Sequence, residues 1–196
     1  MARSSILLLI SGPAGSGKTT LCDRLLADHQ PRLQRVITAT TRDPRKGERD
    51  GVDYHFLEED DFLRKVQAGE FYEHARVHNR YYGSLKSEIR DKLTRQMDLV
   101  LNVDVQGAQT FRENAKDDPE LQKMLVTVFV LPISIGQIRE RLQGRGKDSP
   151  REIERRLVTA EKEMADKVHF DHIIPSGTKE EDYQAFRAIY AAECGA

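Results

Sequence analysis

The chain has 196 residues, with 31 Lys and Arg against 32 Asp and Glu and a formal net charge of −1. That length suits one domain with inserts, and so small a net charge excludes a global basic field for nucleic acid or an anionic membrane. Apolar residues make up 38%, enough for one core, and no segment approaches transmembrane length.

Taken in order, residues 1–11 imitate the start of a signal peptide, with Arg3 before an apolar run. The run is only Ile6 to Ile10 and opens directly into glycines. Gly12, Pro13, Ala14, Gly15, Ser16, Gly17, Lys18 and Thr19 follow, then Thr20, with Leu21, Leu25 and Leu26 at helical spacing. This reads as strand, tight loop and helix around a G-x-x-x-x-G-K-[ST] motif. Glycines let backbone N–H groups turn inward as an anion nest. The helix beginning near Lys18 aims its positive end at the same point. Lys18 supplies a point charge for β and γ phosphates, and the Thr19 hydroxyl is placed for Mg²⁺. A nucleoside triphosphate is the expected ligand.

The first helix is expected to run to residue 29, with Pro31 ending it. Val36 and Ile37 read as a short strand, residues 54–56 as another, and 58–68 as a helix stopped by Gly69. Residues 71–77 alternate like a strand. A turn at 78–80 leads to Tyr81 and Tyr82, and a helix from Ser84 carries Leu85, Ile89 and Leu93. Residues 99–103 form a buried strand closing on Asp104, with a helix opening at Gln106 and Gly107. Residues 117–119 read as a surface connection, and 126–131 as an apolar strand stopped by Pro132. Ile135, Ile138 and Leu142 mark the next helix. Ser149 as N-cap, Pro150 at the first position and Glu152 as the partner of a capping box start another, running to about residue 167. A strand at 172–174 and a helix at 179–192 complete the chain. There is no internal repeat. Cys22 and Cys194 have neither C-x-x-C nor metal spacing and read as free thiols of a reducing cytoplasm.

Apolar strands alternating with helices predict an α/β, three-layer sandwich with a mostly parallel sheet. Ligands then belong at the carboxyl ends of the strands, where both Lys18 and Asp104 arrive. Asp104 reads equally as a magnesium or water ligand and as the cap of the next helix. Residues 38–96 fit this core poorly. They read as a small α+β insert over the triphosphate site, leaving 1–37, 97–139 and 158–196 as core.

That insert carries groups suited to an anionic, aromatic acceptor. Arg42 and Arg45 offer forks for phosphate, and Tyr54 and Tyr82 offer hydroxyls. Glu73 is acceptor-only, whereas Thr38 and Ser84 donate or accept. A carboxylate with two hydroxyls matches guanine, whose N1–H and amino group face a carboxylate while O6 faces donors. Adenine would leave Glu73 desolvated and unpaired, a mismatch worth about 10⁴-fold.

The segments T-T-R-D-P-R (residues 40–45), G-V-D-Y-H-F, G-E-F-Y-E-H-A, Y-Y-G-S and D-V-Q-G-A resemble guanylate kinase, over about residues 5–175. The resemblance implies ATP and GMP, with dGMP, as substrates, Mg²⁺ as cofactor, and a cytoplasmic enzyme needing no nucleic acid, membrane or obligatory protein partner. It implies Arg42, Arg45, Tyr54 and Tyr82 on the GMP phosphate, and Thr38, Glu73 and Ser84 on guanine. Gly83, Asn102 and Asp104 complete the acceptor set, and Gly12 to Thr20 hold ATP. It also implies that R-L-Q-G-R-G (residues 141–146) opens a lid at about 140–157. On closure Arg141, Arg145 and Arg156 would join Lys18 and Arg42 around the transferring group.

Three positions depart from the family pattern. Asn102 stands where a carboxylate is usual, and Pro175-Ser176-Gly177 where an Asn-Asp pair usually helps hold adenine. Residues 114–122 run slightly long and read as a surface loop. Two other readings fit parts of the chain. One is a guanylate-kinase-like binding module, against which stand Lys18, Thr19 and the arginines. The other is a phosphotransferase of the same fold with a different acceptor, against which stand Glu73 and Tyr82-Gly83-Ser84.

Overall fold

The apolar run after the N-terminus, Leu7–Ser11 (β1), is buried at every residue because it lies mid-sheet. The computed structural model describes residues 5–77, 79–146 and 149–195, and the Arg145 side chain lies outside that description. Elements are numbered in chain order. Asp98–Asn102 (β7) and Leu125–Pro132 (β8) flank β1, both parallel to it. Leu33–Arg35 (β2) joins outside β7 and His172–Ser176 (β9) outside β8, giving the parallel order β2-β7-β1-β8-β9.

The period of two sorts β1 between two helical layers. Leu8 and Ile10 pack with Leu21, Cys22 and Leu25 of Lys18–His29 (α1), and with Tyr183 and Phe186 of Lys179–Glu193 (α8). Leu7 and Leu9 pack with Ile89 and Leu93 of Lys86–Thr94 (α3), and with Ala108 and Phe111 of Val105–Ala115 (α4). Each fully buried leucine contributes about 1.5–3 kcal/mol. The three-layer α/β arrangement with a parallel sheet follows.

Ala39–Thr40 (β3), His55–Phe56 (β4), Phe71–Val77 (β5) and Arg80–Leu85 (β6) form a separate sheet in the order β4-β3-β6-β5. Glu59–Gln67 (α2) covers it, with Phe62 stacked on Phe71 at 4.5 Å. Pro119–Met124 (α5) is a short helix before β8. Ile135–Arg145 (α6) and Pro150–Glu163 (α7) share an apolar seam of Ile138, Leu142, Ile153, Leu157 and Ala160. Among the described residues no helix is long and apolar enough to cross a membrane.

Several boundaries differ from the expected ones. The strand placed at Val36 and Ile37 is Leu33–Arg35, because the Ile37 N–H turns to Glu88 Oε1 at 3.0 Å instead of continuing the ladder. Tyr54 lies outside β4 and bridges Asp50. Ser84 and Leu85 belong to β6 rather than to a helix, since Leu85 packs with Phe62 and Phe71. The connection at 117–119 starts α5, with Pro119 at its first turn and Asp118 as its cap. Pro132 and Pro175 are each the last or next-to-last residue of a strand; β9 is an edge, where proline is tolerated. The helix after Ser149 stops at Glu163, and a 3₁₀ stretch, Met164–His169, carries the chain onward. The Ser149 hydroxyl caps α7, but Glu152 pairs with Arg155 and Arg156. The expected turn at 78–80 includes His78, outside the described residues.

Candidate active site

The loop between β1 and α1 has the backbone that its glycines permit. Gly12 sits at φ 139°, and a Cβ there would meet the Val130 carbonyl oxygen at 2.4 Å. Gly17, left-handed, precedes the first turn of α1, which contains no acidic residue. The Lys18 ammonium folds back on this loop, donating to the Gly12 and Pro13 carbonyls at 2.6 and 2.9 Å. Beside the loop lies a cavity of about 470 Å³, lined by Gly15, Gly17, Lys18, Thr19, Arg141 and Asp182, among others including Ala14 and Thr20.

Arg141 reaches the loop without any closure. Its guanidinium donates to Ser16 O at 3.3 Å, Ser176 Oγ at 3.0 Å and Gly177 O at 3.3 Å. The Ser176 hydroxyl donates to the buried Asp182 carboxylate, which also accepts the Gly177 N–H. Arg156, further along α7, donates to Glu152 at 3.3 Å. Arg145 ends α6, its side chain outside the described set.

The second sheet supplies the other half. Glu73, on β5, is 7% exposed, and its Oε1 accepts the Ser84 hydroxyl at 2.6 Å. Burial raises its pKa to about 7; Ser84 opposes the shift and Asp104 adds to it. A Cβ on Gly107, in the first turn of α4, would meet Glu73 Oε2 at 3.4 Å, so the carboxylate lies against the core. Gly83 lets the strands close up, because a Cβ there would meet Glu73 O at 2.8 Å. Thr38 lies just before β3, its carbonyl accepting the His55 N–H. Arg42 lies over the Tyr54 ring at 5.2 Å, and the Tyr54 and Tyr82 rings meet edge-on at 6.3 Å. Arg45 is exposed, its backbone N–H on Glu48.

At the end of β7, Asn102 donates to the Thr19 hydroxyl at 3.3 Å. This puts it beside the phosphate loop. Asp104 is exposed, and its Oδ1 caps α4 by accepting the Gly107 N–H at 2.7 Å. The helix-cap reading of Asp104 is thus observed. Among the described residues no cluster of three His, Cys, Asp or Glu side chains is set to cage a metal. A hydroxyl and one nearby carboxylate instead fit a hard cation that keeps waters and takes phosphate oxygens, as Mg²⁺ does.

Two carboxylates at the site went unnoticed in the sequence. Glu48 grips Arg42 and the Arg45 backbone; its signal was a carboxylate three residues after Arg45 in a glycine-bounded turn. Glu163, half-buried at the end of α7, is raised by burial, with Lys18 opposing and Asp104 reinforcing. Nothing local in the sequence marked it.

Comparison with known proteins gives a consistent result. The family profile described as guanylate kinase matches residues 4–193. The guanylate kinase of Paramagnetospirillum magneticum is 37% identical over 98% of this chain and 87% of its own. That of Hydrogenovibrio crunogenus is 43% identical over 86% of this chain and 78% of its own. The crystal structure of guanylate kinase from Anaplasma phagocytophilum superposes with a TM-score of 0.69 at 28% identity, covering 100% of this chain and 89% of that one.

Proposed function

The chain belongs to the guanylate kinase family, and we propose that its two-sided site runs that family's reaction, ATP-dependent phosphorylation of GMP to GDP, by direct in-line transfer. The loop from Gly12 to Thr20 holds the β and γ phosphates on its N–H groups and on the helix end behind it. Lys18 exchanges its loop carbonyls for phosphate oxygens. Arg141 braces the donor side, and Arg145 and Arg156 approach as the 140–157 region closes. Thr19, and Asp104 through water, would hold Mg²⁺, which when bound neutralises charge on the phosphates.

The acceptor lies under the 38–96 insert. Arg42, Arg45, Tyr54 and Tyr82 hold its phosphate; Glu73, Ser84 and Thr38 read its base, with Gly83 giving room. Asn102 acts through Thr19. The attacking oxygen is already anionic near pH 7, its second pKa being about 6, so no general base is needed. The work is to bring two anions into line, and cationic groups in a closed site reduce the repulsion while excluding water. dGMP keeps the base and the phosphate that these residues hold, so it is an acceptor as well. Two buried thiols, Cys22 and Cys194, fit a reducing compartment, and we place the enzyme in the cytoplasm.

The observation that carries this reading is Glu73: a carboxylate almost wholly removed from water, bonded to Ser84, against the helix that follows β7. Such a group needs donors from its ligand, and the guanine N1–H and amino group provide two. A coupled ADP-release assay with ATP and Mg²⁺, offering GMP, dGMP, AMP, UMP and CMP separately, tests it. Turnover confined to GMP and dGMP is the expected result; turnover of another acceptor overturns the base assignment. Folded protein that binds GMP without turnover would be a binding module.

A further inference from the structure

Tyr72 is the extra residue of a β-bulge. Phe71 pairs with Leu85 and Glu73 pairs with Ser84, so two steps on β5 match one on β6. A regular ladder would set Tyr72 opposite Ser84 and Glu73 opposite Gly83. The bulge instead breaks the alternation, and Phe71, Tyr72 and Glu73 are buried in succession. A bulge re-aims the side chains around it and leaves its own residue outside the ladder. The unladdered groups of Tyr72 must therefore find partners elsewhere.

Its carbonyl and its hydroxyl are both held from the core layer, largely by the segment 114–122 that the sequence presented as a surface loop. Asn114 Nδ2 donates to the Tyr72 carbonyl at 2.8 Å. The Tyr72 hydroxyl donates to Asp118 Oδ2 at 2.5 Å. Arg90, from α3, closes the set with Nε 3.1 Å from both oxygens and Nη2 2.7 Å from Asp118. The ring lies 4.9 Å from Phe111. Despite burial, Tyr72 and Arg90 hold the Asp118 carboxyl down at about 2, so it is charged throughout the working range. Both ends of one core segment thus grip the residue directly before Glu73.

We infer that Asn114, Asp118 and Arg90 are positioning residues: through the Tyr72 bulge they fix the aim of the Glu73 carboxylate and so set how tightly the acceptor purine is held. The inference rests on the reading of Glu73 given above. Its mark is selectivity, because a lesion in the bulge weakens the acceptor and leaves the donor untouched.

The test uses the full chain with Tyr72→Phe, which keeps the ring on Phe111 and removes only the hydroxyl, and Asn114→Ala, singly and combined. Losing such bonds shifts an equilibrium by about tenfold. The combined variant should raise KM for GMP about tenfold, with KM for ATP and kcat within twofold. In a Glu73→Gln background the same changes should add nothing, since residues acting through one group are not additive. Equal rises in both KM values, full additivity with Glu73→Gln, or no change in folded protein would each overturn the inference. Tyr72→Phe carries the test by itself if the combined variant does not fold. Absence of GMP turnover by the unmodified chain would instead overturn the reading of the site, and the inference with it.

Discussion

Glu48 grips Arg42 with both carboxylate oxygens: Nη1 donates to Oε2 at 2.8 Å and Nη2 to Oε1 at 2.9 Å. The same Oε2 accepts the Arg45 N–H at 2.7 Å. The Arg42 fork, then the Arg45 backbone, pull the Glu48 carboxyl down to about 2, so the pair persists at any working pH. A bidentate fork fixes the plane of a guanidinium. Here it keeps Arg42 over Tyr54, with Nη1 donating to the Asp43 carbonyl at 2.8 Å as well. Two effects compete: the carboxylate repels the acceptor phosphate, and it preorganises both arginines. Preorganisation should dominate, because Glu48 also pins the backbone between them. Glu48→Gln is therefore expected to raise KM for GMP about tenfold, on the scale of one charge-assisted hydrogen bond, with KM for ATP unchanged. Steady-state kinetics with each substrate varied in turn measures it; a lower KM for GMP would show that repulsion wins.

Glu73 gives a pH signature of definite sign. Its carboxyl is raised by burial from 4.5 to about 7. Between those values the folded chain binds more protons than the unfolded one, so stability falls as pH rises from about 4.5 to 7 and levels off above. A shift of this size corresponds to about 3 kcal/mol in full, of which roughly 2 falls between pH 5 and pH 7.5. Urea unfolding at pH 5 and pH 7.5 should show that loss in the unmodified chain, and Glu73→Gln should remove most of it. The purine contact needs the ionised form, so KM for GMP should fall as pH rises through 7.

What could be read before folding, and what could not, divides along chain distance. The phosphate loop is local: glycine spacing, apolar strand and leucine-spaced helix all lie within residues 6–26, and the backbone follows directly. The three central strands, β7, β1 and β8, were visible as apolar runs, because a strand buried on both faces needs no alternation, whereas the edge strand β2, Leu-Gln-Arg, was not. The Ser84 boundary misled because S-L-K-S-E resembles a helix start, whereas Leu85 is claimed by Phe62 and Phe71 from distant elements. The bulge at Tyr72 was invisible, since a one-residue slip leaves no mark on an apolar pattern. Asp118 and Glu48 were hidden for a related reason: each acts through a partner that only the tertiary fold or the turn geometry brings near.

Lys18 separates chemistry from stability. Its ammonium donates to two carbonyls of its own loop and is only partly buried, and truncating a partly exposed side chain usually moves stability little. Lys18→Ala should leave the thermal midpoint within a few degrees while lowering kcat by about 10²–10³-fold or more, the loss typical of removing a preorganised electrostatic contact in a transition state. Turnover near the unmodified rate in folded Lys18→Ala protein would remove the phosphate loop from the mechanism.

Asp98 and Tyr190 make the opposite case, a polar contact far from the reacting groups that ties the last helix to the sheet. Asp98 is fully buried at the start of β7. Its Oδ1 accepts the Ile6 N–H, and its Oδ2 accepts the Tyr190 hydroxyl at 2.7 Å and Arg32 Nε at 3.1 Å. A buried carboxylate that loses a donor bears the desolvation cost without the compensating bond. Tyr190→Phe is therefore expected to cost about 1–3 kcal/mol, read as a lower urea midpoint with an unchanged slope. The ring itself stays packed with Cys22 and Phe186 in the α1–α8 layer. Because Asp98 begins β7 whereas the site lies past its other end, beyond Asn102, kcat and both KM values should match the unmodified chain below the new transition. A change in either KM at that temperature would mean that α8, which also carries Asp182 beside Arg141, transmits strain to the donor site.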